Sequence, residues 1–272
     1  MWGASSVRMG TVAVLCTIAT ACGDDEAGPT PVVEVTLPPA GEPFDYQLGG
    51  SYEPADDVQV VSRDREEPSD PSRYSICYVN GFQTQPDEAD RWRGNDGELL
   101  LRDDVGQPVV DPNWPDEWIL DISTEANRDR LVDIVGEWIE GCADDGFEAV
   151  EIDNLDTFTR FPEDISEDDA AAYAAALVER AHDAELAIGQ KNTAELLERR
   201  DELGFDFVVV ERCNEYDECD LFLDEYGERT LVIEYDADAF ASGCDRYPGL
   251  AVILRDRDLS TPAASGYVRE VC

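Results

Sequence analysis

Gly146-Phe147-Glu148-Ala149-Val150-Glu151-Ile152-Asp153-Asn154 is the stretch on which the reading of this chain turns. The glycine closes an amphipathic run. The residues after it alternate Phe147, Ala149 and Glu151 against Val150, Ile152 and Asn154, the two-residue period of a strand. The strand ends in Asp153-Asn154, with Asp156 just beyond. An acidic residue at the carboxyl end of a strand, in an α/β pattern, is where barrel enzymes keep their chemistry.

Working outward, similar apolar runs recur. Strands are expected at Phe44–Leu48, Val58–Ser62, Tyr74–Asn80, Phe147–Asp153, Leu186–Lys191, Phe205–Glu211, Thr230–Tyr235 and Leu250–Arg255, with a short extended piece at Trp118–Ile122. Runs such as Phe207-Val208-Val209-Val210 are apolar throughout, as in strands covered on both faces. Helical patterns lie between them: Glu125 to Cys142, Ala170 to Ala184 behind a capping-box-like Ser166 and Asp169, Thr193 to Glu202, and Asp220 to Tyr226 stopped by Gly227. Short connections between alternating strands and helices favour parallel crossovers. Eight strands favour a closed (β/α)8 TIM barrel in a single domain over residues 44–272. The irregular segment from Gln83 to Pro115 is expected to lie over the active face.

The first 21 residues read as a lipoprotein signal: Arg8, an apolar stretch from Met9 to Ile18, then Ala19-Thr20-Ala21-Cys22, with Cys22 as the lipidated residue. Residues 22–43, rich in Asp, Glu, Pro and Gly, read as a flexible tether. Export as a cell-envelope lipoprotein or secreted protein, with membrane contact only through the lipid, agrees with the cysteines. Cys77, Cys142, Cys213, Cys219, Cys244 and Cys272 form an even set suited to disulfides. Fifteen pairings are open in principle; the expected ones are Cys213–Cys219, Cys244–Cys272 and Cys77–Cys142. A formal net charge of −43 disfavours nucleic acid and anionic lipid as partners and would draw in a polycation.

Closing a barrel would bring the strand ends to one mouth. They are Asp45 and Gln47, Arg63 and Asp64, Tyr78 and Asn80, Asp153 and Asn154, Lys191 and Asn192, Glu211, then Glu234, Tyr235 and Asp236, and finally Arg255 and Asp256. His182 is the sole histidine and lies in a helical stretch, which argues against a Ser-His-Asp hydrolase. There is no GxGxxG or P-loop, so no nucleotide cofactor is expected, and no metal ligand set is assigned. A carboxylate-rich mouth suits glycoside hydrolysis by two carboxyl groups, or the holding of a divalent cation for hydrolysis. Trp92, Trp114 and Trp118, with Tyr78 and Tyr235, offer faces for stacking on sugar rings or for core packing. Asp153 and Glu211 stand out because each directly ends an apolar strand, Asn154 and Asn214 are placed to fix carboxylates, and Lys191 is the only lysine in the chain.

At these residues the sequence resembles the endo-α-1,4-polygalactosaminidase family of glycoside hydrolases. The matching segments, in family order, are Phe44 to Gly50, Ile76-Cys77-Tyr78-Val79-Asn80, Trp118 to Ile122, Cys142 with Gly146 to Asn154, Gln190-Lys191-Asn192, Glu211 to Cys219, and Glu234-Tyr235-Asp236. The resemblance implies a (β/α)8 barrel that cuts α-1,4-linked galactosamine polymers internally without a cofactor. It carries the nucleophile onto Asp153 and the acid/base onto Glu211, with Tyr78, Asn154, Lys191, Glu234 and Tyr235 lining the substrate site. The implied partner is an amino-sugar polysaccharide, cationic where it is deacetylated. The chain departs from the family at Gly81-Phe82-Gln83-Thr84, at Ile152 and at Thr193, so one side of the cleft is expected to bind differently. The rival functions are a non-catalytic carbohydrate-binding barrel lipoprotein and a divalent-metal-dependent hydrolase.

Overall fold

The computed structural model describes residues 1–2 and 35–272, Asn95 excepted, so Cys22 and most of the tether lie outside the described residues. Eight parallel strands follow one another in chain order: β1 (Phe44–Tyr46), β2 (Val60–Asp64), β3 (Tyr74–Asn80), β4 (Ala149–Asp153), β5 (Ala187–Lys191), β6 (Phe207–Glu211), β7 (Thr230–Glu234) and β8 (Ala251–Arg255). A ninth, β9 (Arg269–Val271), pairs antiparallel with β8. The helices are α1 (Ala89–Arg93), α2 (Glu125–Asp144), α3 (Thr157–Arg160), α4 (Glu167–Asp183), α5 (Arg200–Leu203), α6 (Cys219–Tyr226) and α7 (Ala237–Arg246).

Alternation along each strand sorts side chains into two cores. Phe44, Tyr46, Val60, Ile76, Ala149, Ala187, Phe207, Val209, Leu231, Ile233, Ala251 and Ile253 pack together inside the ring of strands. Val79, Val150, Ile152, Ile188, Val208, Val210, Val232 and Val252 face the helices in a second, larger cluster. Every one of the eight parallel strands contributes to the inner cluster, as expected for a barrel filled by side chains rather than an open sheet. At the seam, Arg255 on β8 donates to the Tyr46 carbonyl of β1. The expected (β/α)8 barrel is the fold observed.

Local chemistry explains the helices. Ser166 accepts from the Asp169 N–H at 3.1 Å while Asp169 accepts from the Ser166 N–H at 3.2 Å, the reciprocal cap expected for α4. Thr124 caps α2 with its side chain alone, which accepts from the Asn127 N–H. The expected helix from Thr193 is instead a 3-10 stretch over Ala194–Arg199 followed by one α-turn, α5. Helix α7, capped by Asp236, and strand β9 were not anticipated. Val35 and Leu37, assigned to the tether on composition, pack against the inner cluster.

All three expected disulfides are present: Cys77–Cys142 ties β3 to α2, Cys213–Cys219 closes the loop after β6, and Cys244–Cys272 fastens the C-terminus to α7. Among the described residues no helix is long and apolar enough to cross a membrane.

Candidate active site

The carboxyl ends of the strands open into a cleft of about 540 Å³. Tyr78, Asp153, Asn154, Lys191, Glu211 and Tyr235 all line it. Tyr78, Asp153, Lys191, Glu211 and Tyr235 point inward because each stands an even number of residues beyond an inner-core position, while Asn154 reaches the cleft through its left-handed backbone just past β4.

Asp153 is the most closely held. Its Oδ2 accepts from the Tyr78 hydroxyl at 2.8 Å and the Lys191 ammonium at 3.3 Å, and its Oδ1 accepts from the Asn154 N–H at 2.7 Å. Burial alone would raise this carboxyl, but the Lys191 charge and these hydrogen bonds outweigh it and hold Asp153 below the usual carboxylate range. Glu211 accepts from the Tyr235 hydroxyl at 2.5 Å, and its Oε2 lies 3.9 Å from Lys191 Nζ. Lys191 is 3 % exposed at its side chain, against 19 % for Asp153 and 28 % for Glu211, so the cation lies deeper than the two acids it joins. Burial works against charge on Lys191, yet Asp153, Glu211 and Glu151 together keep it well above lysine's ordinary pKa.

The chain leaves these strands under strain. Asn154, Asn192, Thr193 and Arg212 all have left-handed backbone, with φ of 65°, 47°, 60° and 63°. Asn tolerates that region; Thr and Arg adopt it at a cost, and such residues concentrate where function fixes the backbone. Here each follows Asp153, Lys191 or Glu211 directly, or one residue later, and turns the chain sharply away so that those side chains project into the cleft.

Not every expected residue reaches the cleft. Glu234 is buried and lies on the helix-facing side of β7, where its Oε1 accepts from the Asn214 N–H at 2.8 Å; since Tyr235 faces the cleft, its neighbour cannot. Asn214 therefore holds Glu234 and neither cleft acid. Trp92 is fully buried core, stacked edge-on against Trp138, which leaves Trp114, 59 % exposed on the cleft wall, as the tryptophan best placed to meet a sugar. Asp45 and Gln47 are also buried, bonded to each other at 2.9 Å.

Other residues in and beneath the cleft carried no sequence signal strong enough to select them. Glu151, inside the barrel one step below Asp153, accepts from the Tyr46 hydroxyl at 2.7 Å and from Ser62 at 3.1 Å and faces Lys191 at 3.3 Å. Glu117 comes from the excursion between β3 and α2, which forms one wall as expected. Its Oε2 accepts from the Asn80 and Gln83 side-chain amides, and burial raises its carboxyl to about 7. Arg257, Asp258 and Leu259, which follow β8, also line the cleft. Gly49 lets this loop approach: a Cβ there would lie 2.4 Å from the Leu259 carbonyl oxygen. Among the described residues, one group of side chains has metal-like spacing, Cys213, Cys219 and Glu234, and its sulfurs are joined as a disulfide.

The profile of glycoside-hydrolase family GH114 matches residues 26–272. The galactosamine complex of Aspergillus fumigatus Ega3 is similar in structure, with a TM-score of 0.72 and 20% identity over 88% of this chain and 98% of that one. The glycoside hydrolase domain of Pseudomonas aeruginosa PelA gives a TM-score of 0.59 and 14% identity over 82% of this chain and 98% of that domain. Among curated proteins none matches.

Proposed function

Because the chain belongs to glycoside-hydrolase family GH114, we propose that it cleaves α-1,4-linked galactosamine polysaccharide internally, with Asp153 as nucleophile and Glu211 as acid/base. The observation that carries this reading is the sharing of one buried ammonium, at the end of β5, by two inward-facing carboxyl groups at the ends of the flanking strands β4 and β6. Each acid reaches Lys191 in a single contact. Asp153, kept ionised by Lys191 and Tyr78, is suited to the nucleophile. Glu211 is the more open of the two and holds a hydroxyl partner in Tyr235, which suits a group that passes a proton to a leaving sugar.

Support for an amino sugar comes from the galactosamine bound to Ega3 and from the acidic lining of this cleft, which includes Asp64, Asp111, Glu117, Asp156 and Asp258. A cationic, partly deacetylated polymer would be drawn to such a surface. We also propose export and anchoring through Cys22; three disulfides support an oxidising compartment.

The test is reducing-end release from purified α-1,4-galactosamine polymer by the parent and by Asp153→Asn and Glu211→Gln, with melting temperatures measured alongside. Both folded variants are expected to lose activity by roughly three orders of magnitude or more. A parent that binds the polymer and releases nothing would make this a carbohydrate-binding barrel. Activity abolished by chelation would point to the metal-dependent alternative.

A further inference from the structure

Beneath the two cleft acids lies a charged layer that a two-carboxylate reaction does not itself consume. Glu151 is completely buried, yet every contact to it comes from a donor: the Tyr46 hydroxyl, the Ser62 hydroxyl and the Lys191 ammonium. Burial pushes this carboxyl up and the Lys191 ammonium, Tyr46 and Ser62 pull it back, and a shell made only of donors suits the ionised form. Lys191 in turn donates to Tyr46 at 3.1 Å, so the ammonium is held from below at two points and from above by Asp153.

We propose that Glu151 is a positioning residue that clamps Lys191 between Asp153 and Glu211, so that one stationary cation balances the negative charge whichever of the two acids carries it. The inference rests on the two-carboxylate reading above. In the first half-reaction an Asp153 oxygen bonds to the anomeric carbon, the bond from that carbon to the leaving oxygen breaks, and the leaving oxygen takes its electron pair together with the Glu211 proton. Asp153 becomes a neutral ester and Glu211 an anion. Counted over Glu151, Asp153, Lys191 and Glu211, the total charge is unchanged; it has moved from one side of Lys191 to the other. A lysine free to swing would collapse onto Asp153 in the resting enzyme, blunting the nucleophile, and would have to travel during the step. The clamp removes that reorganisation.

The groups facing this cluster are Tyr46 from β1, Ser62 from β2, Tyr78 from β3, Asp153 from β4, Glu211 from β6 and, behind Glu211, Tyr235 from β7. Burial raises all three tyrosines above their ordinary value, and the surrounding carboxylates hold Lys191 well above lysine's, so the tyrosines stay neutral and the ammonium stays charged.

The test uses Glu151→Gln, which removes the charge, and Tyr46→Phe, which keeps the charge and removes one tie. Lys191 is the only lysine, so lysine-selective 15N labelling yields a single side-chain ammonium signal whose hydrogen exchange with water is read without substrate. Exchange is expected to quicken roughly ten-fold or more in both variants as the buried network opens. On the galactosamine polymer, Glu151→Gln should lower kcat by roughly ten-fold or more at unchanged KM, as expected for an interaction used in the chemical step. Both limbs of its pH profile should move to lower pH, because a negative charge near both acids has gone. Tyr46→Phe should lower kcat and leave both limbs in place. Unaltered ammonium exchange, unmoved limbs in Glu151→Gln, or a rise in KM alone would overturn the clamp. If Glu151→Gln does not fold, exchange in Tyr46→Phe decides, faster for the clamp and unchanged against it. A parent that cleaves no galactosamine polymer would refute the proposed function, while the ammonium exchange would still decide the clamp.

Discussion

Glu117 shows how one buried carboxyl group can give the cleft a pH response separate from catalysis. It faces the side-chain amides of Asn80 and Gln83, with Asp153 and Asp111 as its charged neighbours, and burial raises it to about 7. As pH rises through that value the wall gains a negative charge. The KM for a cationic galactosamine oligomer should therefore fall between about pH 6 and pH 8 in the parent; steady-state kinetics should show that fall flattened in Glu117→Gln. The stability sign follows from the same shift. A carboxyl whose folded pKa lies above its unfolded one favours the fold while protonated. That contribution is complete below about pH 4.3 and is lost as pH rises through about 7. At pH 8 Glu117→Gln should therefore melt above the parent. At this scale the sequence was partly legible. Asp153 and Glu211 could be picked out because each ends an apolar run, and Lys191 because it is unique. Glu151 could not, since a glutamate inside an alternating strand reads equally well as a solvated face until the barrel closes over it.

At the scale of elements, strand parity decides most of the site. Counting in twos from Ala149, Ala187, Phe207 and Leu231 leads to Asp153, Lys191, Glu211 and Tyr235, and by the same count excludes Glu234. The information was in the sequence, but using it required knowing which face of each strand looks inward, and fully apolar strands such as Val208-Val209-Val210 do not say. Gly189, two residues below Lys191 on β5, is fixed by the same packing. A Cβ there would lie 2.4 Å from the Phe207 ring, which is wholly buried and has nowhere to move. Gly189→Ala should cost about 1–3 kcal/mol by overpacking, seen as a lower denaturation midpoint. It should also reduce kcat, because the shift is passed up the strand to Lys191. Two elements escaped the sequence for physical reasons. The segment of α7 buries Ala239, Phe240 and Gly243 on one face, but two of these three are too small to mark an apolar stripe by eye. Strand β9, Arg269-Glu270-Val271, is three residues long and exists only because β8 offers it an edge.

For the molecule as a whole, the dominant quantity is the net charge of −43. Self-repulsion of this size opposes compaction, and salt screens it. Melting temperature at pH 7 should therefore rise as sodium chloride is raised from about 20 to about 200 mM. Over the same range kcat/KM on a cationic polymer should fall, because screening also weakens long-range attraction of the substrate. An uncharged analogue should lack that fall. The overall architecture was the most legible part of the chain: eight strand runs near their observed places, the three disulfides, and an excursion after β3 that walls the cleft. The segment after Thr193 was less so, since a left-handed turn there makes the following helix begin as a 3-10 stretch.

The seclusion of Lys191 has a practical corollary. Every other basic side chain able to carry a permanent charge is a guanidinium, so the chain offers acylating reagents a single side-chain amine, nearly buried on the floor of the cleft. Because Lys191 lines the cleft, its acylation reports on access to the cleft floor, one chemical event per molecule, and should slow when a ligand fills the cleft.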